Sequence, residues 1–184
     1  MIIGIIIAVV LALLAVWVVN TRRSLAAMDE NIDNAMNQIG VQLSSCFDAL
    51  ITLLGLTKGY AANESQTLIE TVKSRRSVIA ANSTPEDVLK QEGVISEVLG
   101  RISVVAGEFP ELKANENYRK CMNAVDRYEK MVCTSRLIYN DSVTKLNRSL
   151  RMFPASLIAG ILGFHQRDYL ETVESKADMP ASLF

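Results

Sequence analysis

The chain has few of the residues that enzymes use for chemistry. Its 184 residues include one histidine, at position 165, and three cysteines that form no close pair: Cys46, Cys121 and Cys133. One histidine cannot supply the repeated ligands of a zinc or di-iron site, or the base that activates a serine or cysteine nucleophile. The sequence therefore predicts no catalytic, metal-binding or cofactor-binding residue, and it indicates a protein that is not an enzyme. We expect His165 to lie on the surface.

Turn-forming residues and net charge are scarce as well. Nine glycines and four prolines are too few for the many short strands of a sandwich or barrel. The 19 basic and 20 acidic residues nearly cancel and aromatic residues make up only 6% of the chain, which argues against a nucleic-acid partner. Apolar residues instead recur at steps of three and four, with no sustained alternation, and this pattern predicts an all-α fold.

A long apolar run occupies the N-terminus. Residues 2–19 carry no charge and would form a helix about 27 Å long, close to the hydrocarbon thickness of a bilayer. A cleaved signal peptide would instead have a basic region before a shorter apolar core and small residues at a cleavage site. We therefore expect residues 1–21 to be a retained, single-pass transmembrane anchor. Arg22 and Arg23 follow it directly and predict that the remaining chain is cytoplasmic.

Residues 22–152 predict an antiparallel bundle of three long helical legs. The first leg continues from the anchor without a break to about residue 62, and the third covers residues 115–152. The second leg, residues 64–107, is broken near Thr84, where Thr84 as N-cap and Pro85 as first helical residue indicate a new start. Legs of matched length can each bury an apolar stripe along their neighbours.

Residues 153–184 differ in composition from the bundle. Residues 153–164, the apolar segment, carry no charge but are too few to span a bilayer. We expect this segment to fold back and cap the open end of the bundle, and the alternative is contact with the membrane surface or a partner protein. Residues 171–184 form a polar tail. The candidate partner-docking residues are Leu157, Ile158, Ile161 and Leu162.

Several different short motifs are spread over most of the chain after the anchor. They are Asp33-Asn34-Ala35, Gln38-Ile39, Val41-Gln42-Leu43, Lys58-Gly59-Tyr60-Ala61, Phe109 to Asn115, Tyr139-Asn140, Asn147, Phe153-Pro154 and Gly163-Phe164. Their order and spacing resemble those of the bacterial LemA family. The resemblance implies a helical cytoplasmic domain on the bacterial inner membrane, with the N-terminus outside. Two family features are missing, since Ser44-Ser45-Cys46 replaces a basic cluster and Ile51 replaces a proline, so lipid binding by that cluster is not implied.

Charged residues are depleted from the first leg. Between Asn34 and Thr57 the only charged side chain is Asp48, although the chain average of 21% would give about five. A leg of an isolated bundle keeps a charged, solvated face. This leg is therefore either covered within its own subunit or packs its outer face on copies of itself. The candidate contact residues on its polar side are Gln38, Gln42 and Ser45.

Small residues form a stripe on the helix that begins at Pro85. Each glycine inside a helix costs about 1 kcal/mol relative to alanine, so repeated glycines on one face predict the close approach of another helix. That helix belongs either to the same subunit or to a neighbouring one. The stripe recurs at steps of three and four and consists of Gly93, Ser96, Gly100, Ser103 and Gly107.

Charge is also unevenly distributed along the chain. Residues 24–111 have a net charge of −6, and residues 112–151 have a net charge of +5. The basic ridge of the last long helix pairs either with the acidic legs or, in a salt-sensitive manner, with a neighbouring subunit. Asn140 and Asn147 lie seven residues apart, a spacing that predicts buried hydrogen bonds fixing helix register.

These features lead to one functional hypothesis and one alternative. The hypothesis is a non-enzymatic, single-pass membrane protein whose cytoplasmic bundle forms a homo-oligomeric scaffold on the membrane. The alternative is a membrane-tethered adaptor or sensor that binds another protein through the apolar segment. The expected partners are the lipid bilayer and further copies of the chain, with a different protein as the alternative and no nucleic acid.

Overall fold

A computed structural model describes residues 2–170, and every regular element in that range is helical. The predicted all-α fold is confirmed for this range, and the polar tail predicted at 171–184 lies outside the described residues. In chain order the helices are α1 (Ile2–Thr57), α2 (Ala62–Arg75), α3 (Pro85–Glu108), α4 (Pro110–Ala114), α5 (Glu116–Arg151) and α6 (Ser156–Ala159).

Helix α1 runs from the apolar N-terminus into the bundle as one uninterrupted helix of 56 residues. Its most apolar 18-residue window has a mean hydropathy of 3.3, and none of that window is buried. From Leu25 onwards one side of the same helix is buried, with the buried residues at helical spacing. Near residue 25 the helix therefore changes in character. Before it the helix is apolar on all sides and exposed, and after it the helix is amphipathic and packs in the bundle. Its first part is long and apolar enough to cross a membrane.

Helix α5 packs antiparallel along α1 and forms the main core with it. Near one end of the pair, the Ser149 hydroxyl donates a hydrogen bond of 3.4 Å to the Met28 sulfur. The helix is N-capped by Asn115, whose side-chain oxygen accepts from the amides of Asn117 and Tyr118 at 2.9 and 3.2 Å. Its 36 residues match the length predicted for the third leg.

The second leg differs from the prediction, because the chain reverses direction inside it. Helix α2 ends at Arg75, and α3 returns beside it, so that the Arg75 guanidinium lies 2.6 Å from the Glu97 carboxylate. At the far end of α3, the Phe109 ring lies 5.6 Å from the ring of Tyr60. Helices α2 and α3 therefore form a hairpin on the half of α1 distal to the apolar run. Three legs of matched length are not confirmed.

Two side-chain devices produce this reversal. The Thr84 hydroxyl accepts from the amide of Asp87 at 3.2 Å, and the Asp87 carboxylate accepts from the amide of Thr84 at 2.9 Å. These two bonds form a capping box. Thr84 is therefore the N-cap of α3, as predicted. The buried Gln91 side chain accepts from the Ser77 amide at 2.8 Å and donates to the Arg75 carbonyl at 3.1 Å. These bonds satisfy the last carbonyl of α2 and one amide of the extended connection, residues 76–84, which a continuing helix would otherwise pair.

The connection crosses α1 at Gly40. Ile79, which the periodicity predicts on a helix, is buried in the extended connection instead, and a Cβ atom added to Gly40 would overlap the Ile79 carbonyl. The two backbones can approach this closely because glycine has no side chain.

Candidate assembly face and membrane-proximal cluster

Two of the three candidate contact residues of α1, Gln38 and Ser45, lie on the side opposite its buried stripe, and Gln42 lies near the edge of that stripe. Gln38 is exposed, Gln42 and Ser45 are half-buried, and Val41 between them is 62% exposed. At about 100° per residue these positions fall on one side of the helix. No element within residues 2–170 covers this side, so the interpretation that this leg is fully covered within its own subunit is wrong for the described chain. We call this surface the uncharged face, and it comprises Asn34, Gln38, Val41, Ser45, Asp48 and Thr52.

The one charge on the uncharged face is neutralised within the subunit. The Arg76 guanidinium lies 2.6 Å from the Asp48 carboxylate and donates to the Ser44 hydroxyl at 2.6 Å. The same guanidinium lies 5.8 Å from the centre of the Phe47 ring, in range for a cation–π contact. The face therefore presents amides, hydroxyls and a valine with no net charge.

A groove between α1 and α5 opens at the edge of the uncharged face. It has a volume of about 390 Å³ and is lined on the α1 side by Ser45, Asp48 and Thr52. From α5 it is lined by Lys120 and Tyr128 among others. A groove of this size next to exposed neutral side chains can receive side chains of another helix.

The small-residue stripe of α3 also points away from the subunit. All five of its residues are exposed, and they lie about opposite the α3 side chains that are buried. A Cβ atom added at Gly93, Gly100 or Gly107 would meet no other atom within 4 Å among the described residues. The interpretation that the stripe admits another helix of the same subunit is therefore wrong for residues 2–170. The stripe and the uncharged face are separate surfaces.

Within residues 2–170, one basic residue of α5 is paired with the acidic part of the chain. Arg136 lies 2.8 Å from Glu92 of α3, and their side chains are only 11% and 23% exposed. Burial raises the pKa of the Glu92 carboxyl above its usual value, and the positive charge of Arg136 opposes that shift. Lys120 and Lys145 pair with acids of α5 itself, at 2.7 Å each. Within residues 2–170, Arg119 and Lys130 form no ion pair.

A polar cluster clamps residues 165–170, the return segment, against α1 and α5. The Arg167 guanidinium contacts the carboxylates of Asp29 at 2.8 Å and Asp33 at 3.1 Å. The hydrogen bond to Asp29 raises the pKa of Arg167 above its usual value. The sequence placed Asp33 in a family motif but gave no signal that an arginine 134 positions later would reach it.

Asn140 and Asn147 hold the backbone of the return segment. Asn147 donates to the Arg167 carbonyl at 2.9 Å and accepts from its amide at 3.0 Å, and Asn140 does the same to Leu170 at 2.9 Å for each bond. Seven helical residues advance about 10.5 Å, and three extended residues advance about 10 Å, so the two spacings match. Both amides form hydrogen bonds, as predicted, but the bonds are only partly buried and their partner is an extended segment, not a neighbouring helix.

The apolar segment lies beside the N-terminal run of α1. Ala159 is buried and Phe164 packs against the core, which is the part of the segment that covers the end of the bundle. Leu157 and Ile161 are exposed, and Ile158 and Leu162 are half-buried. Arg22 and Arg23 are exposed on α1 just beyond the apolar run, at the same end of the molecule.

The groups with potential for chemistry are dispersed. No group of three histidine, cysteine or acidic side chains suited to a metal ion occurs within residues 2–170. Desolvation raises the pKa of the buried Cys46 thiol to about 12, with a smaller contribution from the charge of Glu129, so the thiol is protonated at neutral pH. His165 is exposed, as predicted.

A long apolar N-terminal helix that continues into a helical bundle fits a membrane-associated helical protein. The sequence model of the LemA family matches residues 35–184, which is most of the chain. The chain therefore belongs to the LemA family, and the resemblance inferred from its motifs is confirmed.

Two curated relatives are similar to part of the chain. They are the magnetosome proteins MamQ 1 and MamQ 2 of Paramagnetospirillum magneticum, each 25% identical to this chain over 84 residues. The match covers 46% of this chain and 31% of each relative. The chain therefore matches about a third of the length of these relatives.

Proposed function

We propose that this LemA family member is a non-enzymatic, single-pass protein of the bacterial inner membrane, whose cytoplasmic bundle self-associates into a membrane-attached oligomeric scaffold. The observation that carries the proposal is the uncharged face of α1. Its only charge, Asp48, is neutralised by Arg76, and Val41 is 62% exposed at its centre. Charged side chains keep a solvent-facing surface soluble, but burying a charge against a second subunit is costly. An exposed face without net charge therefore suits a contact between subunits.

The membrane orientation rests on charge. Arg22 and Arg23 follow the apolar run and are exposed, so the positive-inside rule favours a cytoplasmic bundle and an external N-terminus. Attachment to a membrane is supported by the uncovered apolar window of α1 and by the likeness to two magnetosome proteins. Attachment confines the bundles to two dimensions with parallel α1 helices, which raises their local concentration.

The α3 stripe supports a second contact between subunits. Its glycines meet open space in the described chain, and they let a neighbouring backbone approach closely. Because the stripe and the uncharged face are different surfaces, each subunit would contact its neighbours through two patches. A head-to-side arrangement of this kind forms rings or filaments, as a scaffold requires. The basic residues of α5 that form no ion pair within residues 2–170, such as Arg119 and Lys130, favour salt-sensitive pairing with acidic residues of a neighbour.

The test is the mass of the full-length protein in mild detergent, measured by mass photometry. We expect wild-type oligomers, and we expect Val41→Glu to dissociate them while its circular dichroism spectrum stays that of the folded helical protein. Leu137→Glu is the control, because Leu137 is 67% exposed and lies on the side of α5 away from its buried residues. A wild-type protein that is monomeric at all concentrations, or a Val41→Glu variant that assembles like wild type, would exclude this face as the contact.

The second candidate function is an adaptor that binds another protein through the apolar segment. The exposure of Leu157 and Ile161 favours it, at 66% and 85%. Deletion of residues 155–184 separates the two candidates, since an adaptor would lose its partner while a scaffold assembled through α1 would keep its oligomers.

A further inference from the structure

The apolar segment has large apolar side chains that are exposed in the described chain. Phe153, Leu157 and Ile161 are 78%, 66% and 85% exposed, respectively. Nothing within residues 2–170 covers these side chains, and apolar surface concentrated in so short a segment marks contact with a membrane or another molecule. The position of the segment decides which of the two it is.

The segment lies at the height of the apolar run of α1. Leu14 is six residues before Asn20, where the run has ended, so it lies about 9 Å inside the run. Side chains from both elements face one another across a wholly apolar gap of about 450 Å³. Any bilayer that surrounds the run to its end must also surround this part of the segment. The gap is lined by Leu14, Trp17, Phe153, Pro154, Leu157 and Ile158.

Much of the backbone of the segment is hydrogen-bonded locally. The amides of residues 157–159 and 162–164 donate to carbonyls within the segment, and the amide of Ser156 donates to the Met152 carbonyl just before it, at 2.9 to 3.2 Å. Residue 154 is a proline and has no amide hydrogen. Hydrocarbon cannot replace a missing hydrogen bond, so local pairing of this kind is what entry into the edge of a bilayer requires.

Basic side chains surround the same end of the molecule. Arg22 and Arg23 on α1 and Arg148 and Arg151 on the last turn of α5 are all exposed. Ser149 contacts Met28, which places the last turn of α5 beside the part of α1 that leaves the apolar run. Arginines directly above an apolar layer are placed to meet acidic lipid headgroups.

We propose that the apolar segment is a second membrane-contacting element, which lies in the interfacial layer of the bilayer that α1 spans. Phe153, Leu157 and Ile161 contact lipid chains, and Arg148 and Arg151 contact the headgroups of acidic phospholipids. The inference rests on α1 crossing the membrane, as proposed above, but it is independent of self-association.

Depth-dependent quenching of tryptophan fluorescence tests the proposal on the full-length protein in vesicles of brominated phosphatidylcholine. Wild-type Trp17 is the only tryptophan and reports the anchor. In a Trp17→Phe background, Ile161→Trp reports the segment, and Leu157→Trp is a second reporter at a separate position. Leu137→Trp is the matched control, because Leu137 is 67% exposed on α5, well away from the apolar run.

We expect the tryptophans at 157 and 161 to be quenched nearly as strongly as Trp17, with blue-shifted emission, and the tryptophan at 137 to be unaffected. If Trp17 is quenched and both reporters of the segment are not, the proposal is overturned while the anchor stands. Equal quenching at 137 and 161 also overturns it, because the contact would then not be specific to the segment. If wild-type Trp17 itself escapes quenching, both the anchor and this inference fail.

Lipid charge tests the arginines. Adding phosphatidylglycerol to the vesicles should increase quenching at 161, and Arg148→Gln with Arg151→Gln should remove that increase. Each arginine near an acidic surface contributes about fivefold to partitioning, so the double variant should lose over an order of magnitude in membrane partitioning of the segment. A response to phosphatidylglycerol that is unchanged in the double variant would overturn the headgroup contact.

Discussion

Replacing Gly40 with alanine tests the crossing of α1 by the connection between α2 and α3. In most helix interiors this change is favourable, because alanine restricts the unfolded chain and has a higher helix propensity. At Gly40 the added methyl group would overlap the carbonyl of Ile79, which belongs to the backbone and cannot rotate away. We therefore expect Gly40→Ala to destabilise the protein.

The size of the effect follows from two opposing terms. The propensity of alanine contributes about 1 kcal/mol of stabilisation. Forcing a methyl group into a packed contact costs typically about 1 to 3 kcal/mol, and the overlap with a carbonyl places Gly40 at the upper end. The net loss should be about 2 kcal/mol. Gly55 lies on the same helix and would meet no atom within 4 Å, so Gly55→Ala should stabilise by up to about 1 kcal/mol.

Thermal unfolding followed by circular dichroism in detergent measures both variants. At about 2 to 4 °C per kcal/mol for a domain of this size, Gly40→Ala should lower Tm by about 4 to 8 °C, and Gly55→Ala should raise it by a few degrees. The opposite signs within one helix make the comparison independent of detergent. A Gly40→Ala variant as stable as wild type would show that the connection does not approach α1 as the structure has it.

Three further predictions concern other buried groups. Asn147→Ala should cost about 2 to 3 kcal/mol and remove hydrogen-exchange protection from the return segment, because it leaves the amide and carbonyl of one residue unpaired; retained protection would contradict the clamp. The exposed Cys133 should react with maleimide in the folded protein, while Cys46 should react only on unfolding. The pKa of about 12 lowers the thiolate population of Cys46 about a thousandfold. Equal reaction rates of the two thiols would refute the burial of Cys46. Glu92→Ala should cost about 2 kcal/mol and the more exposed Glu97→Ala under 1 kcal/mol, as measured by urea unfolding. Because the folded pKa of Glu92 is raised, wild-type stability should also fall as pH rises from the unfolded pKa of Glu92 through its folded pKa, and Glu92→Gln should remove that slope.

Local signals in the sequence predicted the helices well. The unbroken α1, the start of α3 at Thr84 and Pro85, and the extent of α5 follow from periodicity, capping chemistry and the absence of proline. Each of these signals acts within a few residues of the chain. They determine where a helix begins and ends but carry little information about its direction relative to its neighbours.

The reversal between α2 and α3 could not be predicted for that reason. It depends on Gln91 pairing with the backbone of the connection, and on Gly40 admitting Ile79 across a distance of 39 positions in sequence. The spacing of Asn140 and Asn147 was visible, but a ladder of amides suits a helix and an extended strand equally at these lengths. The candidate site was predicted in part, since the uncharged stretch follows from composition while its exposure follows from packing.

Because α1 is uninterrupted, a tilt of the apolar run also moves the part of the helix that lies in the bundle. From Asn20 to Thr57 the helix extends about 55 Å beyond the apolar run, without a proline or a break. A change of about 10° in the tilt of the run would displace the far end by about 10 Å. Tilt responds to the match between an apolar helix and the thickness of its bilayer. With the run in a membrane, the lipid composition would thus influence the position of the far end of α1, about five nanometres from the run.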